Sequence, residues 1–389
     1  MYLTKEEESI LKGEHGESKR KAMELLVALG KIYGAERLVP ITSAHLAGVS
    51  YKTIGEGGID FLREMAEDAK VCVKTTLNPA GMDRERWKEM GVEERFAKKQ
   101  LEIIELYGKM GVETNCTCTP YLAGNSPRTG DRIAWAESSA LSFANSMLGA
   151  RTNREGGPGA LAAAIIGKAP EYGLHLDENR RPTVVIEAQL KDDIMDFSLL
   201  GQAVGVKMGA SVPYFKGIRP DVNQAKIMAA AMAAAGSVAI FHVEGQTPEA
   251  KDLDLKGIER VQIDRREMNE MKAQLTTAKD PDLIALGCPH LSESEMKMLA
   301  GYLDGKKKNQ DIEIWFCTSR RVKTWCPKET AVLEKFGKVL TDTCMVVAPI
   351  ENTHKVTASN SCKACNYLPG LCNQKCLCND SISLLEMVM

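Results

Sequence analysis

A chain of 389 residues is longer than one hydrophobic core usually supports, so two or three α/β domains or subdomains are expected. Apolar residues make up 44% and charged residues 26%, which excludes disordered and fibrous classes. The formal net charge of −2 gives no footprint for nucleic acid or an anionic membrane, so an anionic substrate has to be caught by a local site.

The N-terminus has no apolar targeting core, and Thr4 with Glu7 reads as a helix capping box. A helix near 18–33, a strand near 37–41, a helix near 56–67 and a strand near 70–75 follow. A charged helix near 92–110 then leads to a strand ending at Cys118. This alternation predicts parallel sheets covered by helices. Further strands are expected at 183–186, 237–242, 283–286, 312–317 and 344–348, with ligands gathering at their C-terminal ends. Gly201, Gly205 and Gly209 recur every four residues and suit a smooth helix face; a phosphate loop is the weaker reading, because no strand directly precedes them. The longest apolar run, 227–241, is Ala-rich and too short to span a bilayer, and the expected location is the cytoplasm. The organisation expected is one α/β region over 1–180 and a second over 181–389 that ends in a Cys-rich segment.

In that location twelve cysteines point to metal ligation or buried thiols rather than disulfides. Three stand in separated segments beside turn-forming residues: Cys118 in Cys-Thr-Pro-Tyr, Cys288 in Gly-Cys-Pro-His and Cys344 in Asp-Thr-Cys-Met. Three thiolates can hold an iron–sulfur cluster and leave one iron open as a Lewis acid. Cys116 lies two residues before Cys118 and on a strand would share its face. Residues 43–51 and 75–81 offer backbone amides, hydroxyls and a glycine at two strand ends, as an anion cradle or as ordinary loops. Residues 137–158 are dense in small polar side chains and carry Asn153, Arg154 and Glu155, which suit an oxygen-rich substrate; Arg154 and Glu155 pairing or capping is the plainer reading. The Gly156-Gly157-Pro158 sequence is expected to stop a helix. His175 and His242 read more readily as hydrogen-bonding residues than as bases. The array Cys362, Cys365, Cys372, Cys376 and Cys378 matches neither a paired zinc motif nor a ferredoxin run, and reads as casual thiols before a second metal site.

The blocks Thr117-Cys118-Thr119-Pro120-Tyr121, Glu137-Ser138-Ser139, Asn145-Ser146, residues 149–158, Gly287-Cys288-Pro289-His290, and Lys363 with Tyr367-Leu368-Pro369-Gly370-Leu371 together resemble the aconitase X family over essentially the whole chain. The resemblance implies an aconitase-like fold, with multiple α/β subdomains and parallel sheets around a central iron–sulfur site. It places the cluster ligands on Cys118, Cys288 and Cys344. The cluster it implies is 4Fe-4S, which becomes 3Fe-4S when oxygen strips the open iron. It places substrate contacts on Gly48, Val49, Ser50, Asn78, Pro79, Glu137, Ser138 and Lys363, with Glu137, Ser138 and Lys363 also catalytic. Family members are either single fused chains that dehydrate cis-3-hydroxy-L-proline or pairs of large and small subunits. This chain resembles the large subunit, whose implied reaction is loss of water from (R)-5-phosphomevalonate to give trans-anhydromevalonate 5-phosphate, toward isoprenoids. The swivelling domain, with its active-site serine, is then expected on the small subunit. One departure is Cys362 and Cys365, where the family segment around the lysine usually has small or aromatic residues. The competing classes are a hydroxyproline dehydratase, and an electron-transfer or metal-binding protein built on the Cys-rich tail.

Overall fold

Strands and helices alternate along most of the chain in the computed structural model, which describes residues 1–191 and 193–389. The first region contains helices α1 (Lys5–Leu11), α2 (Glu17–Ile32), α3 (Tyr51–Met65), α4 (Glu94–Lys109), α5 (Ser138–Met147) and α6 (Gly157–Ile166). Its strands are β1 (Leu38–Pro40), β2 (Ser43–Leu46), β3 (Lys74–Leu77), β4 (Ile133–Trp135) and β5 (Lys168–Pro170). Strands β3-β2-β4 form a parallel sheet with Ala44 opposite both Thr75 and Ala134, and β1 pairs antiparallel with β5. Every residue of β2 is buried, as a central parallel strand covered on both faces must be. The capping box on α1 forms as expected, with Glu7 reaching back to the Thr4 amide at 2.7 Å.

The second region adds β6 (Val184–Ala188), α7 (Ile194–Met208), β7 (Pro213–Lys216), α8 (Val222–Gly236), β8 (His242–Val243), β9 (Arg260–Ile263) and α9 (Arg265–Leu275), with parallel strand order β8-β7-β6-β9. Gly201 and Gly205 lie inside α7 against α8. A Cβ at Gly201 would stand 2.5 Å from the Met228 carbonyl oxygen, so the glycine face is a packing face and no phosphate loop exists there.

The third region holds β10 (Leu283–Leu291), α10 (Glu293–Leu303), β11 (Glu313–Thr318), α11 (Arg320–Trp325), α12 (Pro327–Leu333), β12 (Lys338–Leu340), β13 (Val356–Ser359), α13 (Cys362–Cys372), β14 (Lys375–Cys378) and α14 (Ser381–Glu386), in parallel order β12-β11-β10-β13-β14. Among the described residues no helix is long and apolar enough to cross a membrane.

Several expected elements change. The segment reaching Cys118 is not a strand: it makes the single bridge Thr76↔Glu113 and one bond from the Thr117 amide to the Leu77 carbonyl, before Pro120 starts a 3-10 turn. Residues 344–348 form a turn in which the Cys344 carbonyl accepts from the amides of Val347 and Ala348, because Asp342 at φ 64° has already ended the path of β12. Apolar content correctly marked 344–348 as largely buried, but burial alone does not make a strand. The expected strand at 237–242 contracts to β8, since Ser237 caps α8 in the left-handed region. Gly156 and Pro158 begin α6 rather than stop a helix, Pro losing no amide bond in a first turn.

Candidate active site

The loops after β2, β3, β4, β12 and β13 point toward one place, and buried polar contacts fasten them across the regions. The Ala80 amide donates to the Asp342 carbonyl at 2.7 Å, and Asp83 accepts from the amide and hydroxyl of Thr341 at 2.8 and 3.0 Å. Arg84 and Arg320 both hold the fully buried Asp342 carboxylate, at 3.0 and 2.6 Å. Lys226 of α8 forms a buried ion pair with Glu295 and donates to the His290 carbonyl at 2.9 Å, tying the second region to the third.

A cavity of about 220 Å³ lies at this meeting point. Its wall contains Asn78, Pro79, Cys118, Glu137, Ser138, Arg154, Cys288, Cys344 and Lys363, with Ala47, Val346, Val347 and Tyr367 among its apolar members. A larger cleft of about 330 Å³ between α8, α10 and α11 carries neither a thiol nor a buried ion pair.

The three cysteines reach the cavity by three devices. Cys118 follows the irregular segment docked on the end of β3. Cys288 lies in β10 after Gly287, where φ is +103° and a Cβ would stand 2.1 Å from the Cys317 carbonyl oxygen, so only glycine fits. Cys344 starts the turn after β12. His290 joins all three segments: its amide donates to the Cys118 sulfur at 3.2 Å, its Nε2 meets the Thr343 carbonyl at 2.9 Å, and its Nδ1 meets the Thr117 hydroxyl at 3.0 Å. A carbonyl only accepts, so Nε2 carries the proton and Nδ1 receives one from Thr117. Burial lowers the His290 pKa to about 4, which keeps the ring neutral in this arrangement.

Burial pushes the thiols up, Cys118 to about 12, and for Cys344 the neighbouring Cys288 and Cys118 add to the effect. Among the described residues no three His, Cys, Asp or Glu side chains converge on a single metal ion. Three thiols that share a cavity wall without meeting at one point suit a multi-atom iron–sulfur group, whose charge deprotonates its ligands, better than a single ion.

Glu137 is the N-cap of α5 and Lys363 stands in the first turn of α13, which brings β4 and β13 together chemically. Lys363 bonds to one Glu137 oxygen and to the Ser139 hydroxyl at 3.1 Å, while the other oxygen accepts from Ser139 and the Ala140 amide, both at 2.6 Å. Burial pushes the Glu137 pKa up, but Lys363 and these hydrogen bonds outweigh it and hold the carboxyl below its usual range. Burial also opposes the Lys363 charge, yet Glu137, Cys288 and Cys118 hold the ammonium above its usual range. The Asn78 side-chain oxygen is buried toward the His45 ring, while the residue itself lines the cavity.

The remaining expected contacts stand one layer back. Gly48 borders a neighbouring apolar pocket, Val49 is buried with its carbonyl held by Gln100 at 2.9 Å, and Ser50 bonds to the Val347 carbonyl at 2.9 Å. Cys116 is buried away from the cavity, with its thiol toward the Thr114 carbonyl. His242 bonds to the Arg180 carbonyl at 2.8 Å, and neither it nor His175 reaches the wall. Arg154 and Glu155 form no pair among the described residues. Sequence reasoning passed over His290, Thr117 and Ser139, although each stood inside a quoted motif; the signal was their adjacency to the chemistry-bearing residue.

The tail cysteines lie elsewhere. Cys376 and Cys378 on β14 lie beside Cys362 and Cys365 on α13 as free thiols, and the Cys376 thiol donates to the Cys365 carbonyl. Cys372 is held by Lys52 at 3.3 Å and by the Val346 carbonyl at 3.4 Å. All five are buried, and none lines the cavity.

Family models for the first, second and third domains of aconitase X match residues 1–178, 182–273 and 281–388. The chain belongs to the aconitase X family. It is 51% identical to the phosphomevalonate dehydratase large subunit of Methanocaldococcus jannaschii, covering 99% of this chain and 100% of that one. It is 35% identical to the cis-3-hydroxy-L-proline dehydratase of Pseudomonas aeruginosa over 94% of this chain and 66% of the relative. The crystal structure of Thermococcus kodakaraensis aconitase X in its holo-form superposes with a TM-score of 0.94 at 46% identity, covering both chains completely. The aconitase X fold and the three cavity thiols agree in pointing to an iron–sulfur group.

Proposed function

We propose that this chain is the large subunit of a phosphomevalonate dehydratase, a cytoplasmic hydro-lyase that removes water from (R)-5-phosphomevalonate to give trans-anhydromevalonate 5-phosphate. The observation that carries the reading is the 51% identity over nearly the whole chain to a phosphomevalonate dehydratase large subunit, against 35% to a hydroxyproline dehydratase. A small subunit completes the enzyme and brings the swivelling domain with its serine. The tail reading as an electron-transfer or metal-binding protein loses ground, because its thiols pack between α13 and β14 away from the cavity.

Dehydration breaks a C–H bond at C2 and the C–O bond at C3, so one group takes a proton and another gives one to the departing oxygen. Cys118, Cys288 and Cys344 would hold the 4Fe-4S cluster. When bound, it supplies a Lewis acid that polarises the substrate hydroxyl. The Lys363–Glu137 ion pair keeps its proton on the ammonium beside Ser138, and that ammonium is this chain's nearest proton donor for the leaving hydroxyl. Lys363 also opposes the negative charge that builds on the substrate carboxylate as the C2 proton departs. Ser138 and Asn78 orient the substrate. Pro79 stiffens that wall, and the Gly48-Val49-Ser50 turn shapes it from behind through Ala47 and Val347. The small subunit's serine is left as the acceptor of the C2 proton.

Anaerobic reconstitution of this chain with iron, sulfide and its small subunit, followed by assay on both substrates, tests the reading. Turnover of (R)-5-phosphomevalonate only with both subunits present is expected. Turnover of cis-3-hydroxy-L-proline in its place would move the assignment to the hydroxyproline branch.

A further inference from the structure

Arg154 is the one charge on the cavity wall that the dehydratase reading leaves unused. Its backbone is fixed on both sides: Asn153 donates to the Tyr172 carbonyl at 3.1 Å and accepts from the Leu174 amide at 2.8 Å, and the Glu155 amide donates to the Trp135 carbonyl at 3.3 Å. The guanidinium itself is nearly free. Among the described residues its one hydrogen bond is a long one of 3.5 Å to the Ala233 carbonyl, and it makes no ion pair. The wall's single carboxylate, Glu137, is already taken by Lys363. Those two charges cancel, so among the described residues the free cation facing the cavity is Arg154.

Depth separates the two cations. Lys363, Glu137 and the three thiols are all at most 7% exposed, whereas Arg154 is exposed at the rim. The substrate has a matching asymmetry. Its carboxylate is two carbons from the hydroxyl-bearing C3, while its phosphate sits at the end of the C4–C5–O arm, roughly 5 Å from C3 by ordinary bond lengths. A hydroxyl placed at the thiols leaves the carboxylate among the deep donors and sends the phosphate outward. A guanidinium matches two phosphate oxygens with two parallel N–H groups, and a rim position lets the dianion keep part of its hydration.

We propose that Arg154 is the phosphate-binding residue of this site. The assignment rests on the dehydratase reading. It makes Arg154 a substrate-binding residue, with no part in bond breaking.

The test uses the cluster-loaded complex of both subunits with Arg154→Gln and Arg154→Lys. In R154Q the KM for (R)-5-phosphomevalonate rises about 10- to 100-fold, the loss of a charge-assisted hydrogen-bond pair, with kcat much less affected. (R)-Mevalonate, which keeps the carboxylate and hydroxyl but lacks the phosphate, serves as a competitive inhibitor, and its Ki stays within twofold of wild type. R154K recovers part of the affinity, and iron content and melting temperature match wild type in both variants. An unchanged KM in R154Q, with active wild type beside it, overturns the assignment alone. An equal loss of mevalonate and phosphomevalonate binding also overturns it, since Arg154 would then serve the carboxylate or the fold. Wild-type complex that fails to dehydrate phosphomevalonate overturns the dehydratase reading and takes this assignment with it.

Discussion

Two groups of cysteines, equally buried, have opposite relations to chain and space. Cys118, Cys288 and Cys344 are far apart in sequence, sit on three different loops or strands, and face one cavity beside an ion pair and a neutral histidine. Cys362, Cys365, Cys376 and Cys378 are close in sequence and lie beside one another as free thiols between a helix and a strand. Short spacing looks like a metal motif, but it brought the tail thiols only to each other. What makes a thiol chemically useful is an open volume in front of it and polar groups that share that volume.

The sharpest way to break this comparison is to remove one thiol from each group. Cys288→Ala should lose the visible iron–sulfur absorbance and lower kcat/KM roughly 10³-fold or more, the worth of a Lewis acid at the leaving group. Cys365→Ala should keep its iron and stay within about threefold of wild-type rate, with a loss of about 1 kcal/mol in unfolding experiments. Iron lost from the tail variant and retained in the cavity variant would reverse the two assignments.

Next in size is the ion pair. Lys363→Met leaves Glu137 buried and uncompensated, a cost of about 3–5 kcal/mol, and should abolish measurable turnover. Adding Glu137→Gln should recover much of the melting temperature and none of the rate. Equal recovery of both would show that the pair serves the fold alone.

Smaller still is the expected effect at the histidines. His290→Gln breaks the knot between the three cysteine segments and should speed iron loss to a chelator about 10- to 100-fold, as second-layer changes at metal sites do. His242→Gln removes a comparable buried bond far from the cavity and should leave that rate at the wild-type value.

The finest test compares two buried carboxyls over pH. Glu137 has a pKa held below its ordinary value, so its stabilising contribution is present above the unfolded value and fades as pH falls through the folded one. Glu155 is unpaired, and burial raises it from 4.5 to about 7. Between those values the folded state binds a proton that the unfolded state lacks, so stability falls as pH rises through this window. A shift of that size corresponds to at most about 3 kcal/mol. Glu155→Gln should therefore stabilise the protein more at pH 8 than at pH 5 by thermal unfolding; a pH-independent effect would remove burial as the cause.

Much of this molecule was legible from local pattern. The α2 and α4 helices, the capping box at Thr4 and Glu7, and the strands β6, β10 and β11 follow from apolar spacing and from caps that act within a few residues. The expected strands ending at Cys118 and spanning 344–348 misled, because a short run has the same composition whether it pairs in a sheet or docks as a turn. The expected substrate contacts divided in the same way. Asn78, Glu137, Ser138 and Lys363 reached the wall, whereas Gly48, Val49 and Ser50 stayed behind it, a distinction of a few ångströms that no motif encodes.

The sequence by itself determined the alternation of strand and helix, the buried periodicities, and the residue types that identify the family. Only the tertiary structure decided which of the expected contacts line the cavity, that Lys363 meets Glu137 across 226 positions, and that Arg154 is left without a carboxylate among the described residues. The physical reason is range. Propensity and capping act over a few residues, whereas a site is made where separate sheets end beside one another, and the packing of whole layers sets that meeting.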